Sequence, residues 1–167
     1  MEGKIRPLRF PRDAGALERD TAVLVLGRTI GRVSIGMSLH EVERAYGTPR
    51  RSRHIKLGSR DTSAELDTFA VPGGSLAVTS VGGRVVGLST GSAFYTTPRG
   101  FGVGSEVADG VGLTEKAWVT CKRAFQRNAG SVAVTFRPNR AKRKIAEVAM
   151  LRRAYDEPCK GSASGKR

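Results

Sequence analysis

The sequence predicts an α+β fold of two tandem repeats, each a short helical element packed on an antiparallel β-sheet. Three observations support this: a helix with both start and stop signals, segments that alternate like strands, and a second half that echoes the first. The 167 residues suffice for one domain or for two small units sharing a core. We expect a flexible basic N-terminal segment at 1–20, repeats at 21–92 and 93–153, and a flexible basic tail at 154–167.

Residues 21–27, with the sequence TAVLVLG, form the first apolar run. The run is barely long enough for the core of a secretory signal peptide, and Arg28 and Arg32 follow where a cleavage site of small residues would be needed. We therefore interpret it as a buried strand. The sequence as written predicts a cytoplasmic protein, unless a misassigned start hides an export signal.

The clearest local signal is a helix that begins after Ser38. The Ser38 side chain can accept a hydrogen bond from the amide of Glu41, and Glu41 can reach back to the amide of Ser38, which makes a capping box. Met37 and Val42 can form a hydrophobic staple, and Gly47 favours the end of the helix. One apolar face repeats at three- and four-residue spacing, at Leu39, Val42, Ala45 and Tyr46. So short a helix needs this face packed on other elements.

Four strand-like segments follow the helix, at Ser52–Leu57, Glu65–Val71, Ser75–Thr79 and Arg84–Ser89. Gly82 and Gly83 separate the last two segments. Because glycine accepts the positive φ angles of tight turns, this pair predicts a two-residue hairpin.

The second half of the chain echoes the first at three places in the same order. Gly74–Thr79 matches Gly130–Thr135, and Val33–Gly36 matches Phe101–Gly104. In the third match, Val85 and Leu88 correspond to Ile145 and Val148. Ordered matches at structurally sensible points favour a duplicated unit.

In the second copy, a helix is expected to start at Ser105, but Gly110 and Gly112 each weaken it by about 1 kcal/mol relative to alanine. Lys144–Leu151 also suits helical spacing. Its counterpart in the first half predicts a strand instead.

The residues Val33–Ser38, followed by Val42, Tyr46-Gly47 and Pro49, resemble the strand-to-helix signature of a family. That family includes the β-lactamase inhibitor protein and the small lipoprotein of the outer-membrane β-barrel assembly machinery. The resemblance implies a tandem helix-plus-sheet fold, a secreted or envelope location in bacteria, and a role in binding other proteins. It transfers no inhibitory residue, because the matched motif lies at a helix start.

The net charge of +14 is placed unevenly, since residues 61–110 carry more acidic than basic side chains and both ends are basic. Such a charge attracts nucleic acid, anionic lipid or acidic protein surfaces. The candidate anion- or partner-binding residues lie in two basic segments: Arg50, Arg51, Arg53 and Lys56, then Arg137, Arg140, Lys142, Arg143 and Lys144. We expect a protein partner, and a basic nucleic-acid-binding protein is the alternative.

No constellation in the sequence predicts catalysis, a metal site or a cofactor. Two histidines and two cysteines give little material for a metal centre, and Gly100–Ser105 lacks the dinucleotide-binding pattern. Cys121 and Cys159 are candidates for a disulfide in an oxidising compartment, with two free thiols as the alternative. We therefore expect a non-catalytic binding or structural module.

Overall fold

The computed structural model describes residues 21–112, 119–121 and 124–156. They form a small three-stranded sheet, an eight-stranded main sheet and two short helices. The small sheet contains β1 (Leu24–Val25), β2 (Thr29–Ile30) and β3 (Val33–Ser34). The main sheet contains β4 (Arg51–Leu57), β5 (Thr62–Val71), β6 (Gly74–Val81), β7 (Arg84–Thr90), β8 (Val119–Cys121), β9 (Ala124–Ala129), β10 (Val132–Pro138) and β11 (Ile145–Arg152). The helices are α1 (Leu39–Tyr46) and α2 (Val107–Gly112).

The apolar run at 21–27 is not the continuous buried strand that was predicted. Only Leu24–Val25 is a strand, and it pairs with Thr29–Ile30 in the small sheet. Leu24 is fully buried, whereas Val23 and Val25 are exposed. Since neighbouring side chains of a strand point to opposite faces, a run apolar at every position buries only alternate residues when one face is packed.

Helix α1 confirms the prediction made from its capping signals. The Ser38 side chain accepts a hydrogen bond from the Glu41 amide at 3.3 Å, and Oε2 of Glu41 accepts one from the Ser38 amide at 2.9 Å. Val42 is fully buried, and the staple partner Met37 packs against the same core. Leu39 and Tyr46 also pack against it, so the apolar face of the helix points inward.

The main sheet is antiparallel throughout and has the strand order β4-β5-β6-β7-β11-β10-β9-β8. The predicted hairpin at Gly82-Gly83 is confirmed, with both glycines at positive φ. Lys144–Leu151, ambiguous in sequence, is the strand Ile145–Arg152. Strands that are neighbours in the sheet are also consecutive in the chain, except β7 and β11. In the pairing of these two strands, Thr90 lies opposite Val148 and Gly87 lies opposite Leu151.

The fold-class prediction needs correction on the sheets. The structure is mostly antiparallel sheet with little helix, and both halves of the chain contribute to one continuous sheet instead of each helix having a sheet of its own. The second helix begins at Val107, two residues later than expected.

The two sides of the β7–β11 junction carry similar contacts. On each side, the turn before the helix is joined to the first residues of a central strand by two backbone hydrogen bonds. These bonds are Gly36 to Val85 at 2.7 Å, Val85 to Met37 at 2.8 Å, Gly104 to Ile145 at 2.8 Å and Ile145 to Ser105 at 2.9 Å. The predicted correspondences of Gly36 with Gly104 and of Val85 with Ile145 therefore coincide with similar local contacts.

The predicted correspondence of Gly74–Thr79 with Gly130–Thr135 is out of register with the strand pairing. Gly74 follows a two-residue turn and pairs with Val71. In the second half the residue in this position is Val132, which pairs with Ala129, and Gly130 lies within the turn. The sequence match is thus displaced by two residues. Side chains of a strand alternate with a period of two residues. A shift of the match by two residues therefore leaves inward-facing positions aligned with inward-facing positions, and the hydrophobic pattern does not reveal it.

Candidate protein-binding surface

One face of the main sheet, the covered face, carries the hydrophobic core. The ring of Tyr46 from α1 lies 6.2 Å from that of Phe69 on β5. Phe101 meets Phe136 on β10 edge to face at 5.1 Å. Leu24 of the small sheet belongs to the same buried cluster. Within the described ranges, both helices and the small sheet therefore pack on this face.

The opposite face is formed by two rows of residues that follow the strand pairing from β4 to β9. We call these two rows the open face. One row is Arg53, Leu66, Thr79, Gly87, Leu151, Ala133 and Asn128. The other row is Arg51, Thr68, Ala77, Ser89, Ala149, Thr135 and Gln126. Directly paired residues point to the same side of a sheet, so both rows lie on one surface.

The floor of the open face is made of small and hydroxyl-bearing side chains. A Cβ built on Gly87 would lie 2.9 Å from Cδ1 of Leu151 and 3.4 Å from Cβ of Thr79. Leu151 therefore lies over the glycine, and the absence of a side chain at position 87 lets it do so. Such a floor gives a partner a surface that mixes small apolar side chains with hydroxyl groups.

The chain crosses one end of the open face after β11. Nε2 of Gln126 donates a hydrogen bond to Oδ2 of Asp156 at 2.8 Å. The carbonyl oxygen of Tyr155 lies 3.0 Å from the position of a Cβ on Gly58, in the turn between β4 and β5. Residues 153–156, which include the start of the predicted tail, thus form a turn between the two sides of the sheet. Residues 157–167 of the tail and the N-terminal segment 1–20 lie outside the described residues.

The first predicted basic segment lies on and just before β4. The main-chain amide of Arg50 donates to the carbonyl oxygen of Thr68 at 2.7 Å. Arg51 and Arg53 begin the two rows of the open face, whereas Lys56 pairs with Ser63 and points to the other side. All four side chains are exposed.

The second basic segment lies at the end of β10 and in the loop before β11. Arg137 pairs with Glu147, and the two side chains form an exposed ion pair at 3.7 Å. Oδ1 of Asn139 accepts hydrogen bonds from the amides of Arg143 and Lys144, which fixes the shape of the loop. The loop side chains Arg140, Lys142, Arg143 and Lys144 are exposed.

The two basic segments do not form one stripe. Both approach the same end of the sheet, because Arg51 lies in one row with Thr135 and Arg137 follows Thr135 by two residues on β10. Strands β5, β6, β7 and β11 separate β4 from β10. At about 4.8 Å per strand, the two segments are about 24 Å apart along the sheet.

The electrostatics of the described residues indicate structural roles. The capping hydrogen bonds from Ser38 lower the pKa of Glu41. Asp67 is buried on the covered face, where its carboxylate accepts a hydrogen bond from the hydroxyl of Ser52. No group of three or more His, Cys, Asp and Glu residues in the described part of the chain could hold a metal ion. Of the two cysteines in the predicted disulfide, Cys159 lies outside the described residues. Cys121 is described only as the last residue of β8.

Sequence reasoning identified the basic segments, and with them Arg51 and Arg53 of the open face, but it named none of the other residues of this face. The signal was present in β5 and β6, where small or hydroxyl residues at 68, 77 and 79 alternate with the buried Phe69, Leu76 and Val78. Alternation shows that each strand has two unlike faces, but only the pairing of seven strands, from β4 to β9, shows that these residues form one surface.

Comparison with solved structures finds likeness in fold. A cysteine-rich secretory protein from Staphylococcus aureus superposes on 72% of this chain with a TM-score of 0.55 and 9% identity, and 45% of that protein is covered. The uncharacterized protein YfeY from Escherichia coli superposes on 75% of this chain with a TM-score of 0.52 and 11% identity, and 97% of YfeY is covered. An extracellular protein containing an SCP domain from Bacillus anthracis matches with a TM-score of 0.45 and 10% identity, over 71% of this chain and 44% of that protein.

The chain thus spans less than half the length of the Staphylococcus aureus and Bacillus anthracis proteins. No protein-family model matches the sequence, and no curated protein is significantly similar to it. No helix in the described part of the chain has the length and apolar character needed to cross a membrane.

These findings overturn the resemblance drawn from Val33–Pro49. The likeness in fold is to the staphylococcal secretory protein and to YfeY, instead of to the family of the β-lactamase inhibitor protein and the assembly lipoprotein. The motif does not identify a family, because its residues are explained by the local structure. Gly36 takes a positive φ in the turn, Ser38 caps α1 and Gly47 ends it. Any chain that needs the same strand-to-helix junction meets the same requirements.

Proposed function

We propose that this protein is a non-catalytic protein-binding module and that the open face is its binding surface. The observation that carries the proposal is the asymmetry of the main sheet. In the part of the chain that the structure describes, both helices and the small sheet pack on the covered face, and half-buried Leu66, Ala77, Ala149 and Leu151 lie on the open face. Apolar surface that a fold does not cover itself is typical of an interaction site.

The chemistry of this surface supports binding over catalysis. Its two rows contain hydroxyl, amide and arginine side chains but no carboxylate, histidine or cysteine. A nucleophilic hydroxyl needs a base within hydrogen-bonding distance. The carboxylates that border the two rows, Asp156 and Glu147, are instead paired with Gln126 and Arg137. The small side chains let another backbone or an aromatic ring approach closely, which favours a protein partner.

A matched pair of substitutions in β11 tests the proposal. Ala149 lies on the open face, and Ala146 is exposed at the bulge near the start of the strand. We expect Ala149→Arg to abolish capture of a protein partner from extract of the source organism at physiological salt, and Ala146→Arg to preserve it. Equal capture by both variants, or no protein retained by the wild type, contradicts the proposal. Thermal unfolding of both variants provides the control for folding.

We also propose a secreted or envelope location. Its support is the fold shared with the staphylococcal secretory protein, together with the pair of cysteines in the sequence. In an oxidising compartment Cys121 and Cys159 would form the predicted bridge. Mass spectrometry of the native protein tests this, because the bridged form is lighter by two hydrogens and joins the two cysteine peptides until it is reduced. Two free thiols together with a cytoplasmic fraction in cell fractionation contradict it.

The finer architecture that we propose is a duplication, with the β7–β11 junction between the copies. Its support is the similar pair of hydrogen bonds that Gly36 and Gly104 help to form, and the two-residue turns that join β5 to β6 and β9 to β10. Aligned homologues test it: both halves should retain glycine at these positions and equal hairpin spacing. Independent drift of the two spacings contradicts the proposal.

Nucleic-acid binding is the second candidate function. It is favoured by the net charge of +14 and by exposed basic side chains in both segments. Among the described residues, however, the exposed large apolar side chains are Val23 and Val25, so no exposed Phe, Tyr or Trp ring of this part of the chain is available for stacking on bases. A gel-shift titration across salt tests this function, and absence of binding at low salt removes it.

A further inference from the structure

Strand β4 forms one edge of the main sheet and pairs only with β5 within the described part of the chain. It contains seven residues, Arg51–Leu57, and so offers an edge about 23 Å long. No bulge interrupts its pairing with β5. An edge of this kind presents a row of backbone N–H and C=O groups with which another extended chain can pair.

The side chains along this edge are basic and have little local compensation. Arg51, Arg53 and Lys56 are exposed, and no ion pair joins them to an acidic residue in the described ranges. Two carboxylates of β5 contact residues of β4: Glu65 lies 3.8 Å from His54, and Asp67 accepts a hydrogen bond from the hydroxyl of Ser52. The potential along the edge is therefore positive.

These charges select the strand that can pair here. A second copy of β4 would bring arginine side chains close to one another across the new pair, and like charges in such pairs are destabilising. An acidic strand would place carboxylates within reach of the same arginines. Since Arg51 and Arg53 lie on the same side of β4, a strand with acidic residues at alternate positions presents its carboxylates to both arginines.

We propose that the free edge of β4 binds an extended acidic segment of another protein by strand addition. The backbone of the segment pairs with the edge, and its carboxylates meet Arg51 and Arg53 where the rows of the open face begin. This mode uses the edge of the sheet and only the two arginines at the start of the open face, so it goes beyond the function proposed above.

Three labelled probes test the proposal by fluorescence anisotropy with the full chain at physiological salt. The first is a peptide of about ten residues that alternates Glu with Val or Thr, the second is the same peptide with proline at two central positions, and the third is single-stranded DNA of similar charge. We expect the alternating peptide to bind. The proline peptide keeps the charge but cannot pair along the edge, so its binding should be weaker by about tenfold or more.

Charge reversal identifies the surface. The double variant Arg51→Glu with Arg53→Glu should weaken binding of the alternating peptide about tenfold or more. The control variant, Arg28→Glu with Arg99→Glu, makes the same change of charge at two other exposed arginines and should change binding less than about twofold. Hydrogen exchange should slow at amides of Arg51–Leu57 when the peptide is bound. Equal binding of the proline peptide or of DNA, equal loss in both double variants, or no binding of the alternating peptide overturns the proposal. Capture of a partner through Ala149 is measured separately, so either proposal can fail alone.

Discussion

The substitution Gly102→Ala tests how closely the segment after β7 folds back on itself. A Cβ on Gly102 would lie 2.4 Å from the carbonyl oxygen of Tyr95 and 3.5 Å from Cα of Thr96. The nearest atom belongs to the backbone, so no side-chain rotation relieves the overlap. Gly102 also forms a bridge with Thr96, and the amide of Thr97 donates to the carbonyl oxygen of Phe101 at 2.8 Å.

To accommodate the methyl group, the two backbone segments that meet at Gly102 and Tyr95 must move apart. Tyr95 is 1% exposed, so this movement disturbs the core. Overpacking of this kind costs about 1–3 kcal/mol. For a chain of this size, that loss lowers the Tm by about 2–12 °C. We expect the change to appear in thermal and urea unfolding followed by circular dichroism.

Gly74→Ala is the matched control for this substitution. A Cβ at position 74 would meet the nearest atom of Ser92 at 3.6 Å, an ordinary contact, and Gly74 has no positive φ. Both variants restrict the unfolded chain by the same glycine-to-alanine change. Gly74→Ala should therefore match or slightly exceed the wild type in stability. Equal Tm values for the two variants would refute the close approach of Gly102 to Tyr95.

Three further outcomes follow from the packing and the charges. Because the cap lowers the pKa of Glu41, its carboxylate stabilises the fold above the unfolded pKa of about 4.3, and this stabilisation is lost as the pH falls through the lowered pKa. Glu41→Gln should therefore reduce the urea midpoint at neutral pH, and the difference from wild type should vanish in acid; a constant difference contradicts this. Phe136→Ala, which removes a ring 2% exposed, should cost about 3–5 kcal/mol in urea unfolding, and a loss below about 1 kcal/mol would show that the core is not packed as described. Arg137→Ala breaks an exposed ion pair with Glu147 and should change stability by less than about 1 kcal/mol; a larger loss would mean that the pair is shielded from solvent.

Features set by neighbouring residues could be predicted from the sequence. The start of α1 depends on Ser38 and Glu41, which are three residues apart, and the Gly82-Gly83 hairpin depends on the φ angles of two adjacent glycines. Alternation also located most strands of the main sheet, although their ends differ by a few residues. In each case the energy that selects the conformation is local, so a single sequence carries the signal.

Features set by distant residues could not be predicted in this way. The pairing of Thr90 with Val148 joins the two halves into one sheet, but nothing near either residue indicates the other. The open face depends on the same pairing, because its rows cross from one half to the other. The arginines of β4 were identified as exposed cations, yet their place at an edge with a free backbone depends on the order of all eight strands.

The junction between β7 and β11 is the pairing in the main sheet that we expect to form last during folding. Each other contact between adjacent strands in the main sheet closes a hairpin, whereas this one must bring together Thr90 and Val148, which are 58 residues apart. Closing a longer loop costs more chain entropy, so the hairpins can form before the junction does. Until it closes, β7 and β11 are both unprotected edges. At high concentration, β7 of one molecule can then pair with β11 of another, and slow refolding would yield dimers with exchanged halves.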